Sequence, residues 1–444
     1  MMNPQSLFDE LLQRLSVLPI LDAHTHLVGN RLGARGLHDI LLYHMAVSEL
    51  YSAGCPSGSR LTQYPGWPSR EEAHGRILEA LPYLSFVRGT SISWGIRTLL
   101  RDLYEWDKPI TVENWESLDG LIRERADDGV WHREILRRAG VQRCGSEIAR
   151  RENGEGDDVL FYALEWAFFT RCQWGEFDTA LYELERCWGC GPESPVPIGS
   201  GVRPTPARSI RTVDDVHAAI AWYVEQLPVE RARSIATHFS TDIAYRLVDE
   251  ADMSGALSRR GEAGPEERDV YACYINEAFL EALEARHGDR ILFQFSFGAE
   301  PLPFETASRL DQRSIAHLAG IIGRHPGLRF QCFLSNAQAN QSLCTLCREL
   351  PNLSLAGFWW HNFFPSIIEG VFAERLDMLP LNRQAGFFSD AYCAEWVYGK
   401  VHIARRCMAK VLAEKVLLGQ YGVEDAISIV GELLNESTRT LIRL

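Results

Sequence analysis

An aspartate and two histidines end an apolar run near the start of the sequence, in the segment LPILDAHTHL at residues 18–27. Side chains alternate between the two faces of a β-strand, so His24 and His26 point to the same side. Two imidazoles that converge on one point can share a divalent metal, and neutral imidazole suits zinc, iron, nickel or copper. The spacing therefore predicts a metal site, with two hydrogen-bonded structural histidines as the alternative.

Short apolar runs, each followed by small, polar or aromatic residues, recur along the chain and are typical of strands buried on both faces. They cover residues 18–27, 141–148, 195–202, 233–239, 290–298, 329–335, 353–360 and 384–391. Most of them are separated by stretches with helical periodicity, such as 213–226, 270–286 and 314–323. Eight strands that alternate with helices predict an α/β fold, a single (β/α)8 TIM barrel over residues 1–444.

Two connections between the predicted strands are far longer than the usual ~2–6 residues of a βα loop. Residues 45–135 follow the first strand and contain helical patterns at 71–81 and 115–125, so we expect a helical insertion there. A second insertion is expected over residues 159–193. Residues 402–444 have a helical pattern throughout and are predicted to pack on the outside of the barrel.

Charge and composition restrict the class of partner. A net charge of -14 and a pI near 5.5 argue against a nucleic-acid or anionic-membrane surface. No stretch is long and apolar enough for a membrane-spanning helix, and the first residues lack the features of a signal peptide. We expect a cytoplasmic protein that acts on a small molecule, and the sequence leaves open whether it forms a homo-oligomer.

Active sites of such barrels lie at the C-terminal ends of the strands. Besides the two histidines of the first strand, the predicted ends offer Arg203, His238, Ser296, Ser335, Trp359, Trp360, His361 and Asp390. Asp390 ends an apolar run, where a carboxylate is costly unless it is paired or bound to a metal. A helix-capping aspartate is the alternative, because the following segment looks helical. Together with His24 and His26, Asp390 is predicted to be a metal ligand or a proton-transferring base.

A His-x-His on the first strand and an aspartate after the eighth resemble the ligand framework of the amidohydrolase superfamily. The sequence is most similar, within that superfamily, to uronate isomerases. Tyr43-His44-Met45 stands where that family has Asp-His-Tyr, and Arg203-Pro204 resembles its strand-end Arg-Pro. Further segments that resemble the family in the same order are GTSISW at 89–94, ENW at 113–115, QFSFGA at 294–299, GFWWHN at 357–362 and FSDAY at 388–392.

The resemblance implies a metal-assisted aldose–ketose isomerisation of a hexuronate or a related sugar acid, with one divalent metal, zinc being the first choice. It implies that His24, His26 and Asp390 surround the metal. Arg203 would anchor a carboxylate or a hydroxyl, and the remaining catalytic and binding roles fall on side chains near the strand ends. Those residues are His44 and His238 as donors to carbonyl or hydroxyl oxygens, Trp359 or Trp360 as a sugar-stacking wall or as core packing, and Ser296 and Tyr392 as substrate contacts.

Departures from the family pattern concentrate at the strand ends. Met45 replaces a tyrosine, Ser296 replaces a histidine, and Tyr392 replaces an arginine suited to a substrate carboxylate. Lys400 is expected to compensate in part for that lost cation. The pattern predicts an altered substrate or reaction with the metal framework kept. A metal-dependent hydrolase or lyase acting on a different polar substrate is therefore the second hypothesis, and a binding protein that has lost activity is the third.

Overall fold

The computed structural model describes residues 3–28, 31–56, 69–147, 158–165, 179–189, 208–239, 243–260, 264–298, 312–359 and 363–444. Eight strands form one parallel sheet in the order β1 to β8, and helices lie between them, which confirms the predicted (β/α)8 barrel. The strands are β1 (Ile20–Thr25), β2 (Val141–Glu147), β3 (Leu160–Glu165), β4 (Ala232–Phe239), β5 (Leu292–Phe297), β6 (Arg329–Leu334), β7 (Leu353–Ala356) and β8 (Gln384–Ala385).

Backbone hydrogen bonds between β1 and the segment after β8 close the barrel. The amide of Asp390 donates to the carbonyl of His24 over 3.0 Å, and the amide of His26 donates to the carbonyl of Ala391 over 2.8 Å. The two ends of the sheet are therefore held together at the level of the predicted metal ligands. Closure places side chains from opposite ends of the chain beside one another.

The third strand is not where the sequence pattern predicted it. β3 pairs with both β2 and β4, and it lies within the range 159–193 that was expected to be an insertion. That expectation is wrong for residues 160–165, because a short apolar run gives no periodicity that separates a buried strand from a helix. The predicted strand at 195–202 lies outside the described residues.

Helices surround the sheet and fill the connection between β1 and β2. They are α1 (Pro4–Ser16), α2 (Leu37–Leu41), α3 (His44–Ser52), α4 (Arg70–Ala80), α5 (Leu84–Val87), α6 (Ser91–Tyr104), α7 (Trp115–Arg123), α8 (Gly129–Ala139), α9 (Thr179–Cys187), α10 (Val213–Glu225), α11 (Glu250–Ser258), α12 (Pro265–His287), α13 (Gln312–Arg324), α14 (Asn340–Glu349), α15 (Pro365–Met378), α16 (Ala394–Leu417), α17 (Val423–Gly431) and α18 (Ser437–Ile442). The helical patterns at 213–226, 270–286 and 314–323 correspond to α10, α12 and α13. Among the described helices, none has the length and apolar character needed to cross a membrane.

The C-terminal tail does more than pack on the outside of the barrel. Helix α16 packs against α1, α6, α8 and α15, as expected for an outer helix. The last helix, α18, instead covers the amino ends of strands: Ile442 packs with Phe161 and Leu292, and Arg329 donates to the carbonyl of Leu441 over 2.6 Å. The tail therefore covers the amino end of the barrel. A functional site is expected at the opposite end, where the strands have their carboxyl ends.

Gly386 connects this tail to the last strand. Its amide donates to the carbonyl of Leu433 over 2.8 Å, and an added Cβ would lie 2.9 Å from the backbone of Leu433. We expect Gly386→Ala to lower the free energy of unfolding by about 1–3 kcal/mol, measured by urea denaturation, because backbone atoms cannot move aside easily. Gly370→Ala is the matched control, since this exposed position on α15 has no atom within 4 Å of the added methyl group. The control should raise stability by up to about 1 kcal/mol, and equal effects of the two changes would contradict the prediction.

Candidate metal centre

Strand β1 positions the two histidines, and its other polar side chains are held by hydrogen bonds to neighbouring backbone groups. All six of its residues are buried, so each polar side chain needs a partner. Thr25 donates its hydroxyl to the carbonyl of Gly145 on the neighbouring strand over 2.7 Å. Asp22 accepts the amide of Ser389 over 2.9 Å, across the closure of the barrel. The imidazoles of His24 and His26 remain at the carboxyl end of the strand.

His24, His26 and Asp390 converge at this end of the barrel. Their candidate ligand atoms all lie within 4.8 Å of one another. Nε2 of His26 is 3.0 Å from Oδ1 of Asp390, and Nε2 of His24 is 3.7 Å from the same oxygen. Two imidazole nitrogens and a carboxylate oxygen are a donor set that suits a first-row divalent metal, and three protein ligands leave a position open for substrate or water. The residues present therefore fit a divalent metal.

The surroundings of Asp390 favour its ionised form although the residue is only 3% exposed. Burial raises the pKa of its carboxyl group, but the hydrogen bond with His26 and the charges of His26, Lys400 and His24 outweigh burial. The net effect holds the pKa of Asp390 well below its ordinary value. A carboxylate must be deprotonated to bind a metal, so this environment favours the ligand form.

Aromatic rings fix the orientation of both histidines. The ring of His24 lies 5.2 Å from that of Phe333 and 5.9 Å from that of Phe388. The ring of His26 stacks on Tyr392 at 4.6 Å with an angle of 15° between the planes. Tyr392, predicted as a substrate contact, is thus a direct neighbour of a candidate metal ligand.

The rings of His238 and Trp359 lie with their centroids 5.7 Å apart. Trp359 belongs to an inner apolar cluster that also contains Ala23, Phe333, Ala356, Ala385 and Phe388. Since Phe333 and Phe388 also contact His24, this inner apolar cluster connects Trp359 with His24. Trp359 is 3% exposed and offers little surface for a sugar, which favours the core-packing alternative.

The structure places the remaining predicted site residues as follows. Ser296 is buried on β5 and pairs in register with His238 on β4. His44 is the first residue of α3, and its side chain lies outside the described part of the structure. Arg203 and Trp360 also lie outside the described residues.

Lys400 does not compensate for the missing arginine. Its side chain is 0% exposed, and its ammonium donates to the hydroxyl of Tyr43 over 2.7 Å and to the carbonyl of Ser389. Burial lowers the pKa of Lys400 to about 8, against the opposing charges of Asp390 and Asp22. The expectation is wrong because the ammonium faces the backbone behind the site, a direction that helical spacing on α16 alone does not reveal.

Asp22 and Tyr43 are two site neighbours whose roles sequence reasoning missed. Burial raises the pKa of Asp22 to about 7, while hydrogen bonds from Ser389 and His24 lower it. Tyr43 is fully buried and donates its hydroxyl to the carbonyl of Asp390 over 2.6 Å. Asp22 carried a visible signal, a carboxylate inside an apolar strand, whereas Tyr43 lies in an ordinary apolar context.

The described residues thus form a parallel eight-stranded barrel with a His-His-Asp cluster at the closure between β1 and the segment after β8. No protein-family profile matches the sequence, and no curated protein matches it either.

Solved structures with this architecture are similar over nearly the whole chain. Glucuronate isomerase from Caulobacter crescentus has a TM-score of 0.77 at 13% identity, covering 99% of this chain and 94% of its own. Uronate isomerase from Thermotoga maritima has a TM-score of 0.75 at 14% identity, covering 98% and 97%. Uronate isomerase from Bacillus halodurans has a TM-score of 0.69 at 16% identity, covering 100% and 97%. At these identities the similarity establishes the fold, and the predicted resemblance to uronate isomerases is confirmed at that level.

The cluster predicts a metal content that can be measured directly. We expect the purified chain to hold about one equivalent of divalent metal by elemental analysis, and His24→Ala to hold at least about 10-fold less. His217→Ala is the control, because the half-exposed His217 lies on α10 away from the cluster. Equal metal contents in the wild-type and His24→Ala proteins would contradict the predicted metal site.

Proposed function

We propose that this chain is a uronate isomerase-like enzyme that interconverts the aldose and ketose forms of a hexuronate or a related sugar acid. The convergence of His24, His26 and Asp390 at the carboxyl end of the barrel carries the proposal. The fold shared with uronate and glucuronate isomerases supports it. A divalent metal, with zinc as the first choice, would supply a Lewis acid for the substrate carbonyl when bound.

Isomerisation moves a proton between adjacent carbons, and the chain's own residues would handle that proton. Asp390 is buried beside the two histidines, and we assign its carboxylate either to complete the ligand set or to receive the proton. His238 lies on β4 with its ring beside that of Trp359, and we assign it the donation of a hydrogen bond to a carbonyl or hydroxyl oxygen. We assign the anchoring of a carboxylate or hydroxyl to Arg203, and we assign to His44 the same donor role as to His238.

Burial around the site supports chemistry that excludes bulk water. His24 is 6% exposed, and the inner apolar cluster lies directly beneath it. Hydrogen bonds and charges act more strongly in such a setting than in water. The proposed substrate is a small molecule, and the acidic composition fits a cytoplasmic enzyme without nucleic-acid partners.

A hydrolase or lyase is the second candidate, and Tyr392 favours it. Its ring stacks on His26 where uronate isomerases have an arginine, and Lys400 is buried elsewhere. A hexuronate carboxylate would therefore lack one cation at this position. In that reaction Asp390 would take a proton from water instead of from carbon.

Deuterium exchange separates the two candidates. We expect the metal-loaded chain, incubated with glucuronate or galacturonate in deuterated water, to exchange the hydrogen at C2, because the isomerase reaction removes that proton. Proton NMR follows the loss of the signal of the hydrogen at C2. The His24→Ala variant should keep this signal unchanged. Unchanged spectra with both sugar acids, from a protein that holds its metal, would contradict the isomerase proposal and favour the hydrolase or lyase.

A further inference from the structure

The backbone of Asp390 adopts an uncommon conformation for a residue with a side chain. Its φ is 54°, in the left-handed region, where an L-residue other than glycine costs about 1–2 kcal/mol. Such a conformation persists only when the surrounding structure holds it. The conformation matters here because it determines where the Asp390 carboxylate points.

Every backbone polar group of Ser389 and Asp390 has a partner. The two amides donate to Asp22 and to the carbonyl of His24, over 2.9 and 3.0 Å. Both carbonyls accept from Lys400, and that of Asp390 also accepts from Tyr43. The turn is therefore held from the β1 side through its amides and from the helical side through its carbonyls.

Lys400 concentrates three donors on this turn. An ammonium has three N–H groups, and here they face the Tyr43 hydroxyl at 2.7 Å, the Ser389 carbonyl, and the Asp390 carbonyl at 3.4 Å. The ammonium also lies 4.7 and 4.5 Å from the ring centroids of Tyr43 and Phe363. A buried ammonium costs several kcal/mol of desolvation, and these hydrogen-bond partners in the described structure are neutral oxygens. Such a costly group, aimed at two carbonyls next to the candidate ligand, requires an explanation beyond packing.

Tyr43 completes the arrangement. Its hydroxyl accepts from Lys400 and donates to the Asp390 carbonyl over 2.6 Å, so it passes the polarisation of the ammonium on to that carbonyl. Tyr43 directly precedes α3 in the helical region between β1 and β2, while Lys400 lies on α16. Two distant elements therefore meet on one peptide of the site.

We propose that Lys400 and Tyr43 are positioning residues of the metal centre, which hold the Ser389–Asp390 turn so that the Asp390 carboxylate faces His24 and His26. The inference rests on the proposed metal site and adds residues that touch neither metal nor substrate. A general packing role would lower the stability of the protein without changing the metal affinity of the folded protein. A positioning role changes that affinity.

Three variants of the full-length chain test the proposal. Lys400→Met keeps the length of the side chain and removes its donors, and Tyr43→Phe keeps the ring and removes the hydroxyl. Lys415→Met is the matched control, because Lys415 is a buried lysine on the same helix that pairs with Asp377 at 2.6 Å. It lies about 22 Å along the helix from Lys400.

Metal-free samples are titrated with Zn²⁺ and Co²⁺, and folding is followed by circular dichroism and urea denaturation. We expect Lys400→Met to raise the Kd for both metals about 10-fold or more, and Tyr43→Phe to raise it about 3-fold or more. Removal of a hydrogen-bond partner of a metal ligand weakens metal binding in this way. The visible spectrum of bound Co²⁺ should change in both variants, because the geometry of the carboxylate ligand changes. The double variant should lose less than the sum of the single losses in binding free energy, because both residues act on one peptide. Lys415→Met should bind both metals like the wild type.

The outcomes separate this inference from the proposed function. Folded variants with the Kd and Co²⁺ spectrum of the wild type would overturn the positioning role and leave the metal site intact. An equal loss in Lys415→Met would also overturn it, since general destabilisation would then explain the effect. A wild-type chain that binds neither metal would reject the proposed metal site and the inference with it. If Lys400→Met does not fold, Tyr43→Phe decides.

Discussion

The hydrogen bonds that close the barrel between β1 and the segment after β8 are the constraint on which the rest of the structure depends. They join His24 to Asp390 and His26 to Ala391 through the backbone, so closing the sheet and assembling the cluster are one event. Each side alone offers half of the donor set. The C-terminal tail supports the same seam, because Leu433 accepts the amide of Gly386, the residue that follows the last strand.

Closure of the barrel brings ionisable side chains into the interior. They are tolerated there because acidic and basic groups lie close to one another and bind the same turn. Asp22, Asp390 and Lys400 are all fully buried or nearly so, which disfavours each of their charged forms. The turn at Ser389 and Asp390 binds these side chains from two directions. Asp22 accepts a hydrogen bond from a backbone amide of the turn, and Lys400 donates to its carbonyls. Leaving one of these groups without its partner costs more than the pair contributes, so this polar core also specifies the shape of the site.

The site residues differ in how much they follow the uronate isomerase pattern. The two histidines and the aspartate of the candidate metal centre follow the pattern, whereas Ser296 and Tyr392 stand in place of a histidine and an arginine. The ring of Tyr392 stacks on that of His26. Tyr392 therefore lies against a candidate metal ligand at the position where the family pattern has an arginine.

Much of this architecture was predictable from local patterns. Apolar runs that alternate with helical periodicity indicate a barrel because both signals arise within a few residues of the chain, and the polar ends of those runs identified His24, His26 and Asp390. The position of β3, the closure of the barrel bottom by α18, and the contacts of Lys400 and Tyr43 were not predictable in this way. Each depends on pairing between segments distant in sequence, and a buried run or a helical lysine looks the same locally whichever partner it meets. The sequence by itself determined which side chains are suited to a metal, and only the tertiary structure decided what holds them in place.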